Sequence, residues 1–278
     1  MSPRKVDPRG QVSAAARLMG SIGVAGRHNR IAKKVVTMAR YVVRGYDGAN
    51  AVLSHIENNG ESWVLQQLGP KLDIVCDVGA NVGEWTQYAL DAGAKQVHAF
   101  EISPATAAQL REKHGTDARV NINGFGLSDA AGNITIRHFP DLPVLTTMTD
   151  FPWEIPAEEI EVPVRTGDDY VAEHGIDKID FLKIDVEGAE ERVLRGFAKT
   201  FERGAIGAVQ FEYGKFVVLT KYMLRDFYAD LTQWGFVTGK LLPTAWEQQP
   251  FNLAMETLSD ANYLAVHESR TDLLDRLK

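Results

Sequence analysis

Short apolar runs alternate with amphipathic stretches from residue 71 to the end of the chain. Apolar runs bounded by turn residues predict strands, and apolar residues at spacings of three and four predict helices. Strands are predicted at 72–78, 96–100, 119–125, 133–139, 161–164, 179–185, 206–211, 236–241 and 262–267, and helices at 83–92, 104–113, 167–174, 186–194 and 222–234. This alternation predicts an α/β fold with a doubly wound, mostly parallel sheet that binds ligands at the carboxyl ends of its strands.

The segment before residue 71 has a different pattern and predicts a helical extension. Residues 1–28 are rich in Ser, Ala, Gly and Arg and predict a poorly ordered start. Asn29 is placed to cap a helix with one apolar stripe, formed by Ile31, Val35, Met38 and Val42. Residues 47–69 predict a further helical lead-in that ends at a Gly-Pro breaker. We therefore divide the chain into an N-terminal basic, helical extension at 1–70 and a ligand-binding domain at 71–278. Within that domain, the Pro- and Thr-rich stretch at 140–160 predicts a long irregular loop.

Basic residues are concentrated in the extension, whereas the rest of the chain is acidic. Residues 1–44 hold ten Lys or Arg and one acid, and the remaining residues hold 20 Lys or Arg and 36 acids. An acidic body argues against nucleic acid as a partner. The basic helix can make peripheral contact with an anionic membrane or pack on the acidic body, and we favour the second interpretation. The sequence leaves an oligomer open.

Composition places the chain among globular proteins of a reducing compartment. Hydrophobic residues make up 45% of the 278 residues, which is enough for a large core. The single cysteine, Cys76, lies on an apolar strand, so no disulfide can form within the chain. No apolar run reaches the roughly 18 residues of a membrane span, and residues 1–28 lack the apolar core of a secretory signal. We expect a cytoplasmic location.

The first predicted strand ends in a turn with two glycines, Gly79-Ala80-Asn81-Val82-Gly83. Glycine lets the backbone approach a ligand closely, and Asn81 tolerates a left-handed φ. A dinucleotide enzyme has a glycine where Asn81 stands, because a diphosphate lies directly on that backbone. S-adenosylmethionine has no phosphates, and Asp77 with Asn81 suits its ammonium and carboxylate ends. An NAD-type oxidoreductase on the same sheet is the alternative.

Acidic residues follow several of the predicted strands, namely Asp77, Glu101, Asp129, Asp185 and Glu212. Because the carboxyl ends of parallel strands share one edge of the sheet, we expect a crevice with several carboxylates and few cations. Glu101 lies 18 residues after Gly83, an offset at which an acid can accept both hydroxyls of a ribose. Asp129 is placed to accept the exocyclic amine of adenine. An acidic crevice also favours a cationic sulfonium.

These motifs resemble the FkbM family of S-adenosylmethionine-dependent methyltransferases. The matching stretches span about residues 72–215 and are 77–83, 99–101, 126–129, 168–170, 180–190 and 211–212, of which Lys183 to Glu190 is the most specific. The resemblance implies a class I methyltransferase (Rossmann-like) fold whose last strand is antiparallel. It also implies methylation of a hydroxyl on a sugar, a lipid-linked glycan or a secondary metabolite. Residues 1–60 and 216–278 lie outside the match and are expected to choose the acceptor.

The resemblance also indicates how the donor is held. It implies that Glu101 holds the ribose and Asp129 the adenine end of S-adenosylmethionine, with S-adenosylhomocysteine as the product. The family usually has proline directly after the acid, whereas Ile102 and Ser103 precede Pro104 here. The residues expected to bind the donor are Asp77, Gly79, Ala80, Asn81, Glu101, Ile102, Ser128 and Asp129.

Transfer to an alcohol requires removal of a proton by a general base or with the help of a metal. The expected catalytic residues are Asp185, Glu187 and Glu212, and Glu190 is expected to share a helix face with Glu187. Asp185 is alternatively placed to brace the methionine end of the donor. A divalent metal on these carboxylates is chemically allowed but not expected, since the pattern offers no His ligands. We expect Glu57 or Glu61 to reach the site, and His98, inside a strand, to be a packed residue.

Two further alternatives stay open at this point. One is an N-methyltransferase acting on a small molecule, since the pattern does not distinguish an oxygen from a nitrogen acceptor. The other is a binding module that keeps the fold without the chemistry. On the favoured interpretation, the partner of the site is a small-molecule or glycan acceptor.

Overall fold

The computed structural model describes residues 18, 20–21, 24, 27, 29–46, 55–139 and 156–278. The chain divides into two compact units, Met1–Asp47 and Gly48–Lys278. Most of the start predicted to be poorly ordered, and residues 140–155 of the predicted long loop, lie outside the described residues.

In the first unit, helix α1 (Arg30–Tyr46) begins where the sequence predicts a cap. Asn29 Oδ1 accepts hydrogen bonds from the amide nitrogens of Ile31, at 2.8 Å, and Ala32, at 3.3 Å. These bonds satisfy two amides that the first turn of a helix leaves without partners. Among the described residues, no helix is both long and apolar enough to cross a bilayer.

The second unit is built on one large sheet with the order β10-β9-β11-β8-β7-β1-β2-β3 and one small sheet with the order β4-β6-β5. Strands β3, β2, β1, β7 and β8 run parallel to one another, and β11 runs antiparallel to both β8 and β9. The antiparallel last strand confirms the predicted topology. The strands are β1 (Ile74–Val78), β2 (Gln96–Phe100), β3 (Val120–Asn123), β4 (Gly126–Leu127), β5 (Gly132–His138), β6 (Glu158–Arg165), β7 (Ile179–Ile184), β8 (Ile206–Tyr213), β9 (Phe236–Leu242), β10 (Ala245–Gln248) and β11 (Ala261–His267).

Successive side chains of each strand point to opposite faces of the sheet. Apolar side chains therefore lie on both faces of the large sheet, and helices cover each of them. Val75 belongs to the core cluster that includes residues of helices α2 and α3, while Cys76 and Val78 belong to the cluster that includes residues of α5, α6 and α9. This arrangement confirms the doubly wound fold. The helices of this unit are α2 (Glu61–Leu68), α3 (Glu84–Ala92), α4 (Pro104–His114), α5 (Gly167–Glu173), α6 (Glu190–Gly196), α7 (Ala198–Glu202), α8 (Val217–Thr220), α9 (Leu224–Gln233) and α10 (Thr271–Leu274).

Several elements differ from the prediction: β6 begins at Glu158, inside the stretch predicted as a loop, β10 was not predicted, and two breaks interrupt the elements beside the cleft. The strand predicted at 119–125 is shorter, because β3 ends at Asn123 and the chain then leaves the large sheet for β4, which joins β6 in the small sheet. The helix predicted from residue 186 begins only at Glu190, since Glu187 and Gly188 have φ of 54° and 101° and form a left-handed turn. Both breaks lie beside the carboxyl ends of the parallel strands and leave irregular backbone there.

Candidate active site

The turn after β1 brings its backbone against the end of β7. Gly79 and Asn81 have φ of 84° and 49°, as the sequence predicted for a turn that approaches a ligand closely. A Cβ on Gly79 would lie 1.8 Å from the carbonyl oxygen of Asp185, which is not a sterically allowed contact. Only glycine therefore permits this approach.

Glu101 connects the end of β2 to this turn. Its Oε2 accepts a hydrogen bond from the amide of Asn81 at 2.9 Å, and its Oε1 accepts one from the amide of Ser103 at 2.8 Å. Burial raises the pKa of the carboxyl, and the two amide bonds oppose that effect. The Asn81 amide is thus already bound to a carboxylate, which disfavours the diphosphate of the NAD-type alternative at this position.

A cleft of about 290 Å³ opens at the carboxyl ends of β1, β2 and β7. It is close in size to the smaller pockets that bind small molecules. Its lining brings together the predicted residues Gly79, Ala80, Asn81, Glu101, Ile102, Asp185 and Glu187 with Glu61, one of two predicted alternatives, and adds Ile56, Trp85, Gly126, Leu127 and Lys183.

Four predicted site residues are not part of this lining. Ser128 is buried beside the cleft, and its hydroxyl donates to Oδ1 of the exposed Asp129 at 2.9 Å. Glu212 lies near Asp185, as described below. Asp77 is completely buried, and its Oδ2 accepts from the Thr86 hydroxyl at 2.7 Å within the fold.

Lys183 places a buried cation in the middle of the expected acidic crevice. Its Nζ lies 3.2 Å from Asp185 Oδ2 and 3.5 Å from Asp77 Oδ1. Burial opposes the charge, but Asp185, Asp77 and Glu61 together raise the pKa of the ammonium. Lys183 was not among the predicted site residues, although a lysine inside the apolar strand Ile179–Ile184 is a visible signal. Among the described residues that line the cleft, Lys183 is the one basic residue beside several acids, in line with the expectation of few cations.

Glu61 reaches the cleft from the first turn of α2, as one of the two predicted alternatives. Its Oε1 accepts a hydrogen bond from Gln210 Nε2 at 2.5 Å, and its Oε2 accepts one from Asn59 Nδ2 at 2.7 Å. Burial raises the pKa of this carboxyl, and Lys183 opposes that effect. Glu57, the other alternative, is exposed and accepts from the Tyr88 hydroxyl at 2.8 Å instead.

The predicted catalytic carboxylates Asp185, Glu187 and Glu212 come together, each offering an oxygen within 4.8 Å of the others. Such a group has the ligand chemistry for a divalent cation. Burial, reinforced by Asp185 and Glu190, raises the pKa of Glu187 to about 8. A group with a pKa in this range is suited to exchange a proton near neutral pH.

Glu190 holds the turn that carries Glu187. Its Oε1 accepts hydrogen bonds from the amides of Val186 and Gly188, both at 3.1 Å. The expectation that Glu190 shares a helix face with Glu187 is wrong, because the helix begins at Glu190 itself. Glu190 instead fixes the backbone from which Glu187 extends.

His98 is a packed residue, as expected. It is buried on β2, and its Nδ1 lies 2.7 Å from the Tyr170 hydroxyl. Burial lowers the pKa of the imidazole to about 4, so the ring is neutral at neutral pH. We therefore assign no part of the chemistry to it.

The parallel sheet with an antiparallel last strand, and the strand–turn–helix unit at Gly79, define the α/β fold of the class I methyltransferases. A family model described as "Methyltransferase FkbM domain" matches residues 77–237, which is more than half of the chain. The chain therefore belongs to the FkbM methyltransferase family.

Two curated relatives illustrate this family. The 31-O-demethyl-FK506 methyltransferase FkbM of Streptomyces tacrolimicus is 34% identical, over 45% of this chain and 59% of the relative. The 2-O-methyltransferase NoeI of Sinorhizobium fredii is 28% identical, over 47% of this chain and 59% of the relative. The chain thus spans about 59% of the length of these relatives.

Among solved structures, SMU.1697c of Streptococcus mutans, in complex with SAH, is similar to this chain at 16% identity and a TM-score of 0.43. The match covers 73% of this chain and 94% of that one.

Proposed function

We propose that this chain transfers a methyl group from S-adenosylmethionine to a hydroxyl of a small-molecule or glycan acceptor. The observation that carries the proposal is the meeting of the Gly79 turn with the buried carboxylate of Glu101 at the rim of one cleft. Membership of the FkbM family supports the reaction class. The named O-methyltransferases among the relatives favour an oxygen acceptor over a nitrogen acceptor.

The residues of the cleft fit an adenosine at one end. Glu101 lies where it can accept the ribose hydroxyls, with Ile102 and Leu127 as apolar walls for the base. The turn at Gly79 lies against the carbonyl of Asp185, an approach that a side chain at this position would block. We retain Ser128 and Asp129 as the residues that meet the outer edge of the adenine.

We assign the amino-acid part of the donor, which carries one negative and one positive group, to the part of the cleft that holds Lys183 and Glu61. In this assignment the Lys183 ammonium meets the carboxylate of the donor, and the Glu61 carboxylate meets its ammonium. Both side chains are buried, so water weakens these interactions less than it would at the surface. This assignment differs from the sequence-based one, in which Asp77 and Asn81 served these two groups.

When bound, S-adenosylmethionine supplies a methyl group on a positively charged sulfur. The task of the protein is then to align the acceptor oxygen and to take its proton. Asp185 and Glu187 line the cleft, and Glu212 lies beside them, so a carboxylate oxygen of this group is the proposed base. Lys183 keeps Asp185 in place by the ion pair at 3.2 Å.

Calorimetric titration with S-adenosylhomocysteine, followed by transfer of a labelled methyl group to sugars and hydroxylated metabolites, tests the proposal. We expect saturable binding and a product whose mass increases by one methyl group on oxygen. Methylation on nitrogen would favour the alternative acceptor class. Binding of NADH without binding of S-adenosylhomocysteine would exclude the proposed function.

A further inference from the structure

Helix α1 separates apolar and basic side chains onto opposite sides. At 100° per residue, the side chains of one side are apolar, and Ile31, Met38 and Val42 are each about 70% exposed. The other side carries Arg30, Lys33, Lys34 and Arg40, and residues 30–46 contain no acid. The helix thus presents a broad apolar face backed by positive charge alone.

The sequence left two interpretations of this helix open, contact with an anionic membrane and packing on the acidic body. An exposed apolar face backed by cations alone suits the membrane surface, and we argue that interpretation here.

We propose that helix α1 lies flat on a bilayer surface that contains anionic lipids, with its apolar face at the acyl boundary and its cations near the phosphates. A short helix with this segregation and low overall hydrophobicity is typical of such binding. Each Lys or Arg near an anionic leaflet contributes about 1 kcal/mol, or roughly a fivefold gain in affinity. The acidic remainder, with 36 acids against 20 Lys or Arg after residue 44, is repelled by the same surface. Helix α1, and not the acidic remainder, would therefore contact the bilayer. This proposal does not depend on the methyl-transfer reaction.

Sedimentation of the 278-residue chain with lipid vesicles tests the proposal. We expect binding to phosphatidylcholine vesicles that contain about a third phosphatidylglycerol to be at least tenfold tighter than binding to pure phosphatidylcholine vesicles. Raising the salt concentration should weaken that binding without any mutation, because the electrostatic part is screened. Absence of binding by the wild-type chain, or equal binding to both vesicles, would overturn the proposal.

A pair of glutamine variants tests the face itself. Val35→Gln with Val42→Gln removes apolar area from the exposed face, whereas Thr37→Gln lies on the opposite side of the same helix. Glutamine has a higher helix propensity than valine, so a loss of binding would not reflect a loss of helix. We expect the double variant to bind anionic vesicles at least tenfold more weakly and Thr37→Gln to change affinity by less than about twofold.

The competing occupant of the face is a second copy of the chain. Sedimentation equilibrium would then show a dimer that the double valine variant dissociates, and the wild-type chain would not bind vesicles. That combination would overturn the proposal. Equal vesicle binding by the double variant and by Thr37→Gln would do so as well, with circular dichroism confirming that both variants are folded.

Discussion

Glu61 carries a carboxylate into the cleft from a position before the matched family domain, which starts at residue 77. Its hydrogen-bond partners Asn59 and Gln210 are neutral amides, and the cation that acts on it, Lys183, is also paired with Asp185 and Asp77. A buried carboxylate in this setting is stabilised by a further positive group. The ammonium of the proposed donor is such a group.

Glu61→Gln should weaken binding of S-adenosylhomocysteine by about 10- to 100-fold, since a hydrogen bond to a charged group contributes about 1.5–3 kcal/mol. Binding of 5′-methylthioadenosine, which lacks the amino-acid part, should change by less than about twofold. Calorimetry with both ligands measures the difference, and Glu57→Gln, at an exposed acid outside the cleft, is the matched control. An equal loss for both ligands would show that Glu61 only supports the fold.

Asp185→Asn should reduce turnover by about 100-fold or more while leaving donor binding detectable, because a positioned base typically contributes 10²–10⁴-fold. The amide keeps the shape but cannot take a proton or hold Lys183 by charge. Single-turnover transfer of a labelled methyl group and titration with S-adenosylhomocysteine measure the two effects separately. The control is Asp169→Asn, an exposed carboxylate on α5.

A normal rate for Asp185→Asn would remove this residue from the chemistry. Repeating the assay with a chelator and with added Mg²⁺ distinguishes a carboxylate base from a cation held by Asp185, Glu187 and Glu212. We expect turnover to persist in the chelator, in line with the prediction that no metal takes part.

At the scale of elements, the cleft depends on how closely the turn after β1 approaches the end of β7. Gly79→Ala would place a Cβ 1.8 Å from the Asp185 carbonyl oxygen, so the turn or the end of β7 must move. We expect binding of S-adenosylhomocysteine to fall below detection and the melting temperature to fall as well. Gly175→Ala is the matched control, since Gly175 also has positive φ, 61°, but nothing lies within 4 Å of its added Cβ. Normal ligand binding by Gly79→Ala would contradict the proposed place of the donor.

The strands of the parallel sheet could be predicted because their signal is local. Strands such as Ile74–Val78 and Gln96–Phe100 are short, largely buried and rich in apolar residues. The start of α6 could not be predicted in this way, since the Glu190 side chain bonds back to the amides of Val186 and Gly188 and replaces the first helical turn. Strand β10 was missed for a related reason, as its Ala-Trp-Glu-Gln sequence has half-exposed and exposed positions and no apolar run.

The contrast between local sequence signals and side-chain contacts that spacing does not reveal also explains which site residues were predicted. Glu101 and Asp185 follow strands directly, so topology alone brings them to one edge. Asp77 also lies at a strand end, but its side chain points into the face where Thr86 and Lys183 meet it. The partners of Asp77 lie nine and 106 positions away in the sequence, and spacing does not reveal such pairs.

For the whole second unit, a buried ion pair connects the start of the parallel sheet to the C-terminal segment. Asp180 Oδ1 lies 2.9 Å from Arg270, and its Oδ2 accepts hydrogen bonds from the amides of Asp73, at 2.9 Å, and Ile74, at 3.2 Å. Both charged side chains are almost completely buried. The pair lies at the amino ends of β1 and β7, the edge of the sheet opposite the cleft.

Arg270→Ala should lower the melting temperature by about 4–8 °C, which corresponds to about 2 kcal/mol for a unit of this size. Burial opposes ionisation of Asp180, but the Lys178 ammonium and the backbone amides of Ile74 and Asp73 outweigh it and lower the pKa. A lowered pKa in the folded state stabilises the protein above the unfolded value of about 3.9 and loses that effect as the pH falls through the folded value. Protonation of Asp180 also removes its charge from the pair with Arg270, so the difference between wild type and Arg270→Ala should be constant near neutral pH and shrink below about pH 4.

Thermal unfolding followed by circular dichroism across this pH range measures the difference. Lys95→Ala is the matched control, because it removes an ion pair with Asp73 in which both side chains are mostly exposed. Such pairs contribute little, so we expect the melting temperature of Lys95→Ala to change by less than about 1 °C. Binding of S-adenosylhomocysteine should be the same in all three proteins at a temperature where each is folded, because the substitutions lie at the edge away from the cleft. Weaker ligand binding by Arg270→Ala under those conditions would show that the two edges of the sheet are coupled, which the arrangement described here does not predict.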